Sequence, residues 1–346
     1  MEVLDFFSGD GYSIASMTDA ISHVDYVPRM LGNMGLFGTE GVPSRTIIVE
    51  EDNGALRLVQ TSQYGGPGRT RSNDKRKVRS FVIPHISLVD NITAEEIQNV
   101  RAYAQGRTPQ QALLMVNQLR DRKLAALKRD IEATLEFHRI GALKGLILDA
   151  DGSTIYDLFA EFEVTQQTQD MLLNTTSTEV IVKITEAMRK AQNALKGDEV
   201  QSWFALCGDS FFDKLTSHTN VKAFYTNWQA AQSYSQEQKA YRAFPFGNVM
   251  WINYRGAVTG SDGNTKTYVA TDRAYLVPQG SQSVFVGKYG PSDFIERVNQ
   301  IPDPNGLPIE VRSEIKDGKR VEIEAQSNPL MLCAKPAAVV MLKEHN

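Results

Sequence analysis

The chain has 346 residues, 42% of them apolar, with 37 Lys and Arg against 41 Asp and Glu for a net charge of −4. That balance excludes wholesale disorder, and it excludes a protein whose chief task is to coat phosphates with a basic surface. The two cysteines, Cys207 and Cys333, exclude a disulfide scaffold and read as buried reduced thiols; no run reaches the ~18 apolar residues of a spanning helix, and the acidic start Met1–Asp10 lacks the basic region of a signal peptide.

At ~150 residues per domain the length fits two domains or one elaborate one. Residues 1–44 hold scattered apolar side chains broken by Gly32, Gly35, Gly38 and Gly41. Such an arm has no core of its own, so it packs on its own domain or docks on a neighbouring subunit. Thr46–Val49 and Leu56–Val59 are β-rich and flank the turn former Asp52-Asn53-Gly54. A glycine-rich stretch follows with Arg69, Arg71, Lys75, Arg76, Lys77 and Arg79 against the single acid Asp74, and a strand at 80–84 returns. Residues 45–83 therefore predict one long hairpin with a basic tip. Charge of this kind is commonly a solvated face, and apart from Tyr64 the tip lacks the aromatics that stack bases.

Thr93-Ala94-Glu95-Glu96 is a capping box that opens a helix ending at Gly106, and Thr108-Pro109-Gln110-Gln111 opens another. Leu113, Val116, Leu124, Leu127, Ile131, Leu135 and His138 then share one stripe, with no breaker before Gly141. This predicts a helix of about 50 Å over 108–141, its charged back (Arg122, Lys123, Lys128, Arg129, Asp130, Glu132, Glu136, Arg139) turned to solvent. His138 reads as a satisfied core histidine. A short hairpin at 146–159, a polar segment 161–174 and a helix at 178–196 follow. Next come a strand at 202–207, a helix capped by Asp209 through Leu215, and a helix over 221–235. Strands are expected at 249–258, 266–271, 274–277 and 283–286. The clearest β signal is last: Ile309, Val311, Ile315 and Val321, Ile323, Ala325 alternate with charged residues around Asp317-Gly318, a long surface ribbon, before short buried strands at 330–333 and 337–342.

Motifs of chemistry are sparse. GxxxxGK[ST], GxGxxG, HExxH and GxSxG are absent, and the five histidines are dispersed. Asp149-Ala150-Asp151-Gly152 has the look of an aspartyl-phosphatase nucleophile motif, and Gly208-Asp209 to Asp213 of its magnesium-binding partner. A hairpin turn and a helix cap explain both without chemistry.

The segment Phe81-Val82-Ile83-Pro84-His85 through Ile97, and the C-terminal Asn328-Pro329-Leu330-Met331-Leu332-Cys333 through Val340, together with the order of elements, resemble the major head proteins of tailed bacteriophages, the lambda-like phage capsid protein E family. The resemblance runs from about Asp5 to Lys343. It implies an α+β fold of the Hong Kong 97 capsid type, with an N-arm at 1–44 and an extended loop at 45–83. A peripheral domain would take 84–177 and 300–328 with its spine helix at 108–141, and an axial domain 178–299 and 329–346. It implies a structural, non-enzymatic subunit without cofactor or metal. Such a subunit assembles in the host cytoplasm as hexamers and pentamers into the icosahedral virion shell around double-stranded DNA. Scaffolding protein, portal and in some cases a decoration protein take part, and no membrane does. Scaffolding is expected either on a separate protein or on a cleaved segment that this chain lacks, and no crosslink is expected from Lys75 or Lys77 to Asn299 or Asn305. The loop's Arg69, Arg71, Lys75, Arg76, Lys77 and Arg79 are expected to meet the ribbon's Glu310, Glu314, Glu322 and Glu324 on an adjacent copy. The alternatives are a bacterial nanocompartment shell of the same fold and a magnesium-dependent haloacid-dehalogenase-type phosphatase using Asp149 and Asp151.

Overall fold

The computed structural model describes residues 17–18, 21, 30–51, 77–103, 109–233, 243–260, 263–281, 283–297, 300–302 and 309–345. It mixes helices and sheets, an α+β chain, in two compact units: residues 1–47, 81–136 and 287–331 form one, residues 48–80, 137–286 and 332–346 the other.

The first unit is built on a three-stranded antiparallel sheet, in the order Glu310–Lys316, Arg320–Ser327, Ile86–Thr93. The ribbon alternates as expected: Val311, Ile323 and Ala325 are fully buried and Val321 nearly so. Asp317 and Gly318 both have positive φ, the backbone that a tight Asp-Gly turn demands. The ribbon is not free on both sides, however. Ile86–Thr93 pairs along its whole inner length, Ala325 opposite Leu88 and Val321 opposite Ile92. The sequence pattern hides this strand because Asp90 interrupts the alternation of Ile86, Leu88 and Ile92, and Lys123 neutralises Asp90 at 3.1 Å. The capping box forms as written: the Thr93 N–H donates to Glu96 at 2.9 Å and the Glu96 N–H to Thr93 Oγ1 at 3.3 Å, opening the helix Ala94–Tyr103.

The long helix spans Pro109–Lys144, 36 residues. Val116, Leu124, Leu127, Ile131 and Leu135 are buried on its apolar stripe. Its charged back is not uniformly solvated. Arg122, Arg129 and Asp130 are exposed, but Lys128, Glu132 and Arg139 are each 6% exposed and Glu136 is fully buried. The reason is that arm residues cover part of that face within the first unit: Met17, Ile21, Met30 and Leu31 are buried, and Leu31 and Gly32 donate to the Glu136 carboxylate.

The second unit centres on a six-stranded mixed sheet, ordered Gln167–Asp170, Val340–Lys343, Arg273–Gln279, Ser202–Cys207, Val249–Asn253, Ala243–Phe246. Val180, Ile184, Ala187, Ala191 and Leu195 of the helix Val180–Leu195 join Phe211, Phe212 and Leu215 of the helix Asp209–Ser217 in its core. Rings of Tyr225, Trp228, Phe244 and Phe246 pack edge-on and stacked beside them. Several local expectations are corrected. Gln167–Asp170, read as loop, is a sheet-edge strand with no apolar side chain to announce it. The strand after the 149–153 turn stops at Asp157, whose carboxylate caps the short helix Leu158–Glu161. Val249–Val258 breaks after Asn253. Gly208, not Asp209, is the N-cap residue; a Cβ there would lie 2.1 Å from the Ala270 carbonyl oxygen, so close packing explains the glycine. Cys207 and Cys333 are free and buried, and burial pushes the Cys333 thiol up to about 12.

Candidate assembly surface

The strands Thr46–Glu51 and Lys77–Val82 pair as a two-stranded sheet, where the root of the expected hairpin would lie, with the Ile83 N–H donating to the Arg45 carbonyl at 2.8 Å; residues 52–76 lie outside the described residues. Alternation turns Ile47 and Phe81 inward. It leaves Ile48, Val78 and Val82 at 68%, 62% and 56% exposed, an apolar row left open by the described residues. Arg79 ties the root down: its guanidinium donates to the Glu161 carbonyl and lies 5.3 Å over the Phe162 ring. Arg79 is thus engaged within its own unit. Arg69, Arg71, Lys75 and Arg76 lie outside the described residues, and Lys77 begins the strand.

Register gathers the expected acids on one face of the ribbon, where Glu310 faces Gln326, Arg312 faces Glu324 and Glu314 faces Glu322. Each acid has a partner nearby. Arg297 stands 3.6 Å from Glu310, and Ser292 also donates to it. Lys316 reaches Glu314 at 3.2 Å and Glu322 at 3.8 Å. The hydrogen bond to Glu314 leads in raising the Lys316 pKa above its ordinary value. Ser87 and Gln326 each donate to Glu324 at 2.7 Å. The face is therefore a mixed-charge surface, on which Ser87 is exposed and Lys316 partly so, while Arg297 is half-buried and Gln326 is buried.

Two features escape the sequence pattern. One is the buried contact of Glu136 and Lys128 with the arm. The other is a junction at Asn328, whose Nδ2 donates to the Pro291 carbonyl at 2.5 Å while Oδ1 lies 2.7 Å from His85 Nδ1. The Gly290 N–H donates to the Asn328 carbonyl. Here the two segments that carried the family resemblance, around His85 and from Asn328, meet.

The residues of the phosphatase alternative form a turn. Asp149 accepts from the Ala150 N–H, Asp151 accepts from the Ser153 N–H at 2.8 Å, and the Ser153 carbonyl accepts from the Asp149 N–H. The Ser153 hydroxyl, chief among these bonds, holds the exposed Asp151 carboxyl below its ordinary pKa. Asp209 pairs with Arg255 at 2.7 Å. Among the described residues no group of His, Cys, Asp and Glu is placed to hold a metal, and no helix is long and apolar enough to cross a membrane.

The family described as "Phage major capsid protein E" matches residues 13–344. The major capsid protein of Pseudomonas phage KPP10 is 29% identical over 324 residues, covering 86% of this chain and 91% of that protein. That of Salmonella phage Felix O1 is 24% identical over 357 residues, covering 95% of each. Among solved structures, the putative capsid protein of a prophage of E. coli CFT073 aligns over 78% of this chain and 79% of its own, with 14% identity and a TM-score of 0.48.

Proposed function

This chain belongs to the phage major capsid protein E family and is a structural shell subunit, not an enzyme; from that premise we propose that its copies close into hexameric and pentameric capsomers of an icosahedral head around double-stranded DNA. Assembly takes place in the host cytoplasm with a scaffolding protein and a portal, and with no membrane. Residues 1–44 serve as the N-arm, 45–83 as the extended loop, 84–177 with 300–328 as the peripheral domain, and 178–299 with 329–346 as the axial domain.

The observation that carries the proposal is the uncovered row Ile48, Val78 and Val82 at the hairpin root. A β-hairpin with one apolar face bare is marginal in water, and a neighbouring subunit supplies the missing cover. A heterologous contact of this kind, repeated around an axis, closes rings. Arg69, Arg71, Lys75 and Arg76 of the loop, with Lys77 at the start of the returning strand, meet the acids Glu310, Glu314, Glu322 and Glu324 of an adjacent copy, with Arg79 anchoring the root. Individually such exposed pairs are weak, and summed over a shell they set register and partner choice.

Charge reversal tests the pairing. Converting Arg69, Arg71, Lys75 and Arg76 to Glu is expected to abolish shell formation, and converting Glu314, Glu322 and Glu324 to Lys in the same chain is expected to restore part of it. Shells from the loop-reversed chain at unchanged yield refute the pairing. A block that the second set leaves untouched assigns the loop another partner.

A further inference from the structure

Within the first unit, the long helix presents Lys128, Glu132 and Glu136 at a spacing of four, at 6%, 6% and 0% exposure. Buried charge is costly unless partners are supplied. Main-chain groups of the arm are among the partners of both Glu136 and Lys128. The Leu31 N–H donates to Glu136 Oε1 at 2.8 Å and the Gly32 N–H to Oε2 at 3.3 Å. Eight residues earlier on the helix, Lys128 Nζ donates to the Ile21 carbonyl at 3.1 Å. Thr18 Oγ1 accepts from the Val311 N–H at 3.1 Å, and Met17, Ile21, Met30 and Leu31 are buried.

We propose that Glu136 and Lys128 are positioning residues that hold the N-terminal arm as a strap on its own subunit's long helix, so that the arm stays with its own copy in the assembled shell. An acceptor reads amides and a donor reads a carbonyl about 12 Å away along the helix. The two contacts therefore fix both the direction and the register of the arm. The groups they read are backbone, so specificity comes from the apolar anchors, and a carboxylate taking two N–H donors is among the stronger hydrogen-bonded arrangements. The clasp itself is a contact within one subunit; that it persists between assembled copies rests on the shell reading.

Hydrogen exchange on the full chain tests the clasp. In Glu136→Ala, the peptide carrying Leu31 and Gly32 is expected to exchange about tenfold faster or more, while the helix peptide around Ile131 keeps its protection. Glu136→Gln, which retains one acceptor, is expected to fall between. Unchanged arm protection beside an intact helix overturns the clasp. A second measurement uses the unmutated chain, so folding of a variant is not at issue. Photo-methionine at Met17 and Met30 is incorporated into an equal mixture of heavy and light subunits, before and after assembly. Arm–helix crosslinks are expected only between like-labelled peptides. Mixed heavy–light crosslinks making up about half of the total show an arm exchanged between copies and overturn the proposal.

Discussion

His138 shows how one buried side chain sets a pH response. It is 3% exposed, and its Nε2 has no hydrogen-bond partner among the described residues, so the satisfied core histidine expected from the stripe is buried but not satisfied. Burial holds its pKa down to about 4 against an ordinary 6.5, with Asp149 pulling weakly the other way. Below 6.5 the unfolded chain takes up a proton that the folded chain refuses until about 4. Stability therefore declines across that window, by about 3 kcal/mol in all, and levels off beneath it. In urea titrations against pH, His138→Phe is expected to lose this part of the slope; an identical slope in both chains contradicts the assignment. Glu96 responds in a different range. The Thr93 N–H foremost, with Lys123, lowers its pKa, so its contribution stands above 4.5 and fades as pH falls below that value. Thr93→Ala is expected to cost about 1 kcal/mol at neutral pH, and the cost of Glu96→Ala is expected to shrink on acidification. The capping box was legible because it is local. The Glu136 clasp was not, because a Glu four residues from another charge on a helix reads as solvated until the arm is seen to lie on it.

Elements were legible where periodicity and burial agree. The long helix, the ribbon, the helix Val180–Leu195 and the strand Ser202–Cys207 all follow from apolar spacing at their own period. Elements were hidden where polar residues occupy structured positions. Asp90 faces Lys123 from within Ile86–Thr93, and Gln167–Asp170 owes its place to main-chain pairing with Val340–Lys343 rather than to any side-chain pattern. The helix's apolar stripe carries most of its anchoring: Ile131→Ala, at a fully buried position, is expected to cost 2–5 kcal/mol in a denaturant titration, against about 0.5 kcal/mol or less for Arg129→Ala at an exposed one. Equal losses at the two positions contradict the stripe. Of the assembly surface, the ribbon's acids were legible as a charged face. The partners that hold them, Arg297, Lys316, Ser87 and Gln326, depend on register and on a chain reversal that no local pattern contains.

At the scale of the whole molecule, the features without an intramolecular purpose point outward. At the hairpin root Ile48, Val78 and Val82 are exposed, Ile295 and Ile301 stand 85% and 61% exposed, and the ribbon carries a face of paired charges. A subunit built to meet copies of itself has such surfaces, and family membership over residues 13–344 identifies the structure they serve. Affinity at each contact need not be high, because closure multiplies it. Negative-stain electron microscopy of the purified chain, alone and with a candidate scaffolding protein, tests this most directly. Rings of five or six, tubes, or closed shells tens of nanometres across are expected. A monodisperse monomer or dimer under every condition, seen also by light scattering, contradicts the self-assembling shell subunit.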